Sequence, residues 1–217
     1  MRDLSRIILF LLLVFFIPFS HGTAPDLKKL IKVTKENNPK CVVYYNYKNQ
    51  LYCSSEPAKA SEGDIKLISD EKQNIMFDDR LWQAAWGNKT DDIVTIEYIP
   101  ANDDINNWNE LITSQFAPGL QDKVSPLQFS AGIIQSIKQS GFNPEVTYYE
   151  KSPDRVIFEF RITEPANALQ DELQMISKGK DGLYLLHYVI KKPDMGKAER
   201  EKWLQNLKNS GPKENSQ

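Results

Sequence analysis

The sequence predicts an α+β fold: an antiparallel β-sheet flanked by helices, with an N-terminal helix and a disulfide hairpin as an appendage. Three observations lead there. Residues 145–151 and 155–163 read as a hairpin around Ser152, Pro153 and Asp154, ordinary turn chemistry. In its second strand Val156, Phe158, Phe160 and Ile162 alternate with Ile157, Glu159 and Arg161, the pattern of an antiparallel strand with one buried and one partly wet face. Residues 183–190 are apolar on both faces and predict a central strand. The stretches on either side read as polar-ended helices, so the chain is organised around 144–190.

Taken in order, the chain opens with Arg2 and Arg6, an apolar run from Ile7 to Phe19, and small residues at Ser20 and Gly22. A membrane-spanning helix needs about 20 apolar residues, so this run is short for an anchor. Residues 1–22 are expected to be a cleaved secretory signal, with the mature chain starting near Thr23; an uncleaved anchor is the alternative. Either way the remainder faces away from the cytoplasm. Leu27, Leu30, Ile31 and Thr34 mark a short amphipathic helix with Asp26 as its N-cap. Cys41 and Cys53 flank two short strands, and an even, close pair in an exported chain predicts a disulfide. A redox or metal pair would need a two-residue spacing or a neighbouring histidine, and has neither. Residues 54–64 read as a linker, making 23–64 an N-terminal unit ahead of a main domain at 65–210.

Residues 65–68 and 73–77 are expected to be short strands. Residues 82–99 predict a hairpin turning near Gly87 to Asp92, with Trp82, Ala84 and Trp86 on one face. Asp103 or Asp104 caps a predicted helix whose stripe is Ile105, Trp108, Leu111 and Ile112. Ser125 with Pro126 opens the next helix, which buries Phe129, Ile133, Ile134 and Ile137 and stops at Gly141. Pro165 opens another through Leu169, Leu173 and Ile176, closed by Gly179 or Gly182. Asp194 caps a last helix facing Trp203, Leu204 and Leu207 inward. Residues 211–217 hold no apolar side chain and read as a disordered tail.

The formal net charge is −2 and both signs are scattered. That excludes the basic stripe of a nucleic-acid binder and the polybasic cluster of a lipid-surface binder. His187 is the one histidine beyond the leader, in mid-strand, and reads as a satisfied strand histidine rather than a ligand or base. Neither a nucleophile elbow nor a phosphate-binding loop occurs, so no cofactor and no metal are expected. Asp78 and Asp79 beside the tryptophans are the best of several aspartate pairs, which mostly cap turns.

From residues 77 to 210 the order of elements resembles the Mog1/PsbP-like α+β superfamily. The likeness rests on the 82–99 hairpin leading into Trp108, and on the strand at 183–188 followed by the helix around Trp203. It implies a sheet flanked by helices and a binding or assembly role without enzymatic activity, and transfers no site residue. The leading expectation is therefore an exported, non-enzymatic protein, periplasmic or secreted, that binds another protein or supports an envelope or secretion assembly. Asp79, Arg80, Trp82 and Trp86 are its expected contact surface, provided the tryptophans are exposed. A small-ligand or lipid carrier, with a pocket between the sheet and the 125–140 helix, and a hydrolase of unknown class are the alternatives.

Overall fold

The computed structural model describes residues 25–35, 38–56, 69–101 and 103–213. The expected signal at 1–22, most of the linker, the strand expected at 65–68 and residues 214–217 lie outside the described residues. The strands are β1 (Ile31–Lys32), β2 (Val43–Tyr47), β3 (Gln50–Ser54), β4 (Gln73–Asn74), β5 (Trp82–Lys89), β6 (Val94–Pro100) and β7 (Glu110–Pro118). After helix α1 (Pro126–Gln139) come β8 (Glu145–Lys151), β9 (Arg155–Ile162), β10 (Gln170–Lys178) and β11 (Gly182–Ile190), then α2 (Lys197–Asn209) and β12 (Gly211–Pro212).

Ten strands form one antiparallel sheet in the order β1-β3-β2-β5-β6-β7-β11-β10-β9-β8, while β12 pairs with β4. This overturns the α+β class with its flanking helices. The architecture is a large antiparallel sheet with two α-helices among the described residues. Three stretches expected to be helical are responsible. Asp26 does accept the Lys28 N–H at 3.0 Å, but it caps a single 3-10 turn, Leu27–Lys29, before Ile31 pairs with Cys53. Asp104 likewise caps only Ile105–Asn107, after which the chain extends as β7. Leu111 and Ile112, assigned to one helical stripe, enter different core clusters. After the cis Glu164–Pro165 bond and a 3-10 turn at Ala166–Ala168, residues expected to be helical form β10, paired on both edges. Its Asp171, Glu172 and Gln174 look like the wet side of a helix but are buried.

The hairpin β8–β9, central β11, hairpin β5–β6 and both α-helices stand where the sequence puts them. α1 starts with the expected Ser125 cap, which forms a reciprocal capping box with Gln128 behind Pro126. α2 starts later than expected: its N-cap is Gly196, and Asp194 instead accepts the Gly196 N–H at 2.7 Å. Within the stretch expected to be a frayed tail, Gly211–Pro212 form β12 and the Lys213 N–H donates to the Lys72 carbonyl. Gly182 opens β11 instead of closing a helix. A Cβ there would lie 2.6 Å from the Ala117 carbonyl oxygen, so the close approach of β11 to β7 needs glycine.

Cys41 and Cys53 are disulfide-bonded, with Cα atoms 5.5 Å apart. The bridge indicates a non-reducing compartment. Closing so short a loop stabilises by about 3 kcal/mol on the chain-entropy account. The cysteine hairpin is joined to the rest, since Tyr45 and Asn46 of β2 pair with Gln83 and Trp82 of β5. Among the described residues no helix is long and apolar enough to cross a membrane.

The two faces of the sheet carry separate cores. α2 lies on one face, where Trp203 and Leu207 meet Trp82, Tyr98, Ile112, Leu173 and Tyr188. α1 lies on the other, over β9 and β10, where Phe129, Ile133 and Ile137 meet Phe158, Phe160, Ile176 and Leu185. Both clusters are closed: Trp203 and Leu207 are 2 % and 1 % exposed in the first, and Phe129 and Ile133 are each 2 % exposed in the second.

Candidate recognition site

The strands place polar side chains on both faces, and among the described residues each set leaves buried atoms without a partner, Asp171 Oδ1 on the α2 face and His187 Nε2 and Gln174 Oε1 on the other. On the α2 face, Trp82 donates from Nε1 to Asp78 at 2.8 Å, and Arg80 bonds Asp78 at 2.8 Å and Glu110 at 2.7 Å. Tyr188 donates its hydroxyl to Glu110 at 2.9 Å, and Lys202 reaches Asp78 at 3.1 Å. Beside this network the Arg200 guanidinium spans Glu159 on β9 at 2.8 Å, Asp171 on β10 at 3.1 Å and Asp194 at 2.7 Å. The Met195 N–H donates to Asp171 at 2.7 Å, and the Tyr149 hydroxyl donates to Glu159. Burial, then the neighbouring Glu159 carboxylate, push the Asp171 carboxyl up to about 7. Burial acts upward on Glu159 too, but hydrogen bonds from Asp171, Tyr149 and Arg200 outweigh it and hold that carboxyl low. Of the two carboxyls, Asp171 therefore holds its proton the more tightly. Through Lys202 and Arg200 these networks tie α2 to the sheet.

The expected contact surface does not assemble. Trp82 is fully buried and Arg80 is engaged with Asp78 and Glu110, while Asp79 is exposed. Trp86 is on the opposite face. The β5–β6 register shifts between Ala84 and Trp86, so Ala84 opposes Tyr98 but Trp86 opposes Glu97. One extra residue in a strand turns everything beyond it to the other face. Trp82, Ala84 and Trp86 thus do not share a side as the alternation of the sequence predicts.

On the α1 face, a polar row crosses the sheet in register: Trp86 on β5, Glu97 on β6, Thr113 on β7, His187 on β11 and Gln174 on β10. Its inner end is buried. His187 Nδ1 lies 2.8 Å from Glu172 Oε1, which also receives Gln174 Nε2. The satisfied strand histidine expected from sequence is thus half right, because Nε2 of His187 and Oε1 of Gln174 meet no partner among the described residues. His187 is 1 % exposed, so this dyad has no open approach.

The outer end of the row is open. Trp86, Asn88, Thr95, Glu97 and Gln115 are half-buried. Gln115 donates to Thr95 Oγ1 at 3.2 Å. Among the described residues no hydrogen bond, ion pair or ring contact engages the Glu97 carboxylate or the Trp86 indole. Burial alone pushes the Glu97 carboxyl up to about 7. Directly opposed residues on adjacent strands have Cβ atoms about 5 Å apart, so indole and carboxylate stand side by side. Sequence reasoning singled out Trp86 but passed over Glu97. The available signal was one carboxylate in the otherwise apolar and β-branched run of β6.

Residues 70–216 match the model of an uncharacterised protein family, and the chain belongs to that family. The match covers the sheet from β4 onward with both α-helices, and gives no link to the Mog1/PsbP-like superfamily. No curated protein matches the chain.

Proposed function

We propose that the protein is exported by its N-terminal leader to the periplasm or the medium and works there as a non-catalytic binding protein. Its partner is another protein, as in an envelope or secretion assembly, and it docks on the open end of the α1 face. The observation that carries this reading is the Trp86–Glu97 pair. A half-buried aromatic and a half-desolvated carboxylate standing side by side, without partners among the described residues, cost stability in the free protein. A complementary surface would relieve that cost. The disulfide supports the compartment. The filled interface between α1 and the sheet speaks against a carrier pocket there, and the closed position of His187 speaks against its use in hydrolysis.

The test compares the wild-type mature protein with a Trp86→Ala/Glu97→Gln double variant as immobilised baits in envelope extract. The proteins held by wild type are expected to be lost from the variant, while thermal stability stays within a few degrees. An identical set on both baits would remove the strip from the account.

A further inference from the structure

The open strip has a definite chemistry. Around Trp86 and Glu97 the half-buried neighbours are uncharged: Asn88, Thr95 and Gln115. Among the described residues the sole ionisable group of the strip is thus a carboxylate, and its neighbour presents the negative face of an indole ring. Both attract positive charge. The described cations near other tryptophans are already committed: Arg80 lies 5.1 Å from the Trp82 ring centre, Lys191 lies 4.0 Å from that of Trp108 and Lys202 lies 5.8 Å from that of Trp203. Lys89, at the end of β5, bonds Asp70 at 2.9 Å. Among the described residues, Trp86 has a carboxylate beside it and no cation over its ring.

We propose that the strip receives an arginine side chain of the partner protein, its guanidinium flat on the Trp86 indole and hydrogen-bonded at its edge by the Glu97 carboxylate. The charge complementarity of the strip selects a cation. The geometry selects arginine among cations, because a planar guanidinium can stack and donate two parallel bonds to a carboxylate at once, whereas an ammonium is a point charge. Gln115 and Asn88 flank the pair and offer carbonyl oxygens to the remaining donors. This inference rests on the binding role proposed above and adds the chemistry that the partner must carry.

The probe is the blocked tripeptide acetyl-Gly-Arg-Gly-amide, with its lysine and citrulline counterparts, titrated against the full mature protein. Binding is followed by isothermal calorimetry and by NMR of the Trp86 indole N–H. The arginine peptide is expected to bind saturably, with lysine weaker and citrulline, an isostere without the charge, weaker by about tenfold or more. Glu97→Gln is expected to weaken the arginine peptide by a similar factor and Trp86→Ala to abolish the response. Asp79→Asn, a change at an exposed carboxylate on another part of the surface, is the control and should bind as wild type does. Should Trp86→Ala fold poorly, Trp86→Leu keeps bulk while removing the ring's charge distribution and is expected to lose binding as well. Equal affinity for arginine and citrulline, undiminished binding by Glu97→Gln, or no saturable binding up to about 20 mM peptide (a weak-fragment ceiling) would overturn the inference. If the peptide fails while the double variant still loses its protein partner in extract, the arginine assignment falls and the docking surface stands. If both baits capture alike, the docking surface itself falls.

Discussion

Trp203→Ala is expected to lower the unfolding free energy by about 3–5 kcal/mol, the usual cost of removing a large aromatic from a closed core. Trp203 is 2 % exposed. It stacks on Tyr188 with ring centres 4.0 Å apart and meets Trp82 edge-on at 5.6 Å. Its Nε1 donates to Glu199 at 2.8 Å, within its own helix. The ring is thus the main apolar link between α2 and the middle of the sheet. Urea unfolding of the variant should show a lower midpoint with little change in slope. A loss under about 1 kcal/mol would mean that α2 is held chiefly by its ion pairs to Glu159, Asp171 and Asp78, contrary to this account.

Stability should also fall as pH rises from about 5 to 7, and Asp171→Asn should remove part of that fall. The Asp171 carboxyl has an ordinary value of 3.8 and is raised to about 7 in the folded protein, so the native state holds the proton more tightly than the unfolded chain. A group shifted in this direction contributes stability that is full below its unfolded value and is lost as pH climbs through its folded one. Above about 7 its contribution is flat. Glu159, lowered by its hydrogen bonds, acts oppositely and only in the acid range below its ordinary 4.5. The groups facing the pair are Arg200 from α2, Tyr149 from β8, Asp194 and the Met195 N–H. Asparagine keeps an acceptor for Met195 and offers Glu159 a permanent donor in place of the carboxyl proton. The expected loss in wild type between pH 5 and 7 is on the order of 2 kcal/mol from this group, read from urea curves at the two pH values. A variant profile parallel to that of wild type would show that Asp171 does not hold the proton.

Much of the sheet was legible because alternation and turn chemistry agree over β8, β9 and β11, and because Ser125 with Pro126 marks α1 without ambiguity. β10 was hidden for a physical reason. Its Asp171, Glu172 and Gln174 are charged or polar at positions where a strand buried on both faces is expected to be apolar. Their burial is tolerated only through Arg200, Met195, His187 and the glutamine amides, which come from elsewhere in the chain. β7 and β1 were hidden because Asp104 and Asp26 cap true turns, and a cap does not reveal whether one turn or four will follow.

The recognition site was half legible. The aromatic density of β5 drew attention to Trp82 and Trp86 together, and only the bulge after Ala84 separates them. No residue there announces it: Ala84, Ala85 and Trp86 continue without a glycine. Once the bulge is in place, Trp82 belongs to the core under α2 and Trp86 to the open strip with Glu97. The charged groups near Trp82 are absorbed into the network that Lys202 ties to α2.

Glu97 stands beside Trp86 partly removed from water and, among the described residues, without a partner. Titration of the Glu97 side-chain carboxyl carbon by NMR in the free protein tests this directly. The account predicts a midpoint near 7, raised by burial alone. A midpoint at the ordinary glutamate value of about 4.3 would show a hydrated or paired carboxylate and contradict the site.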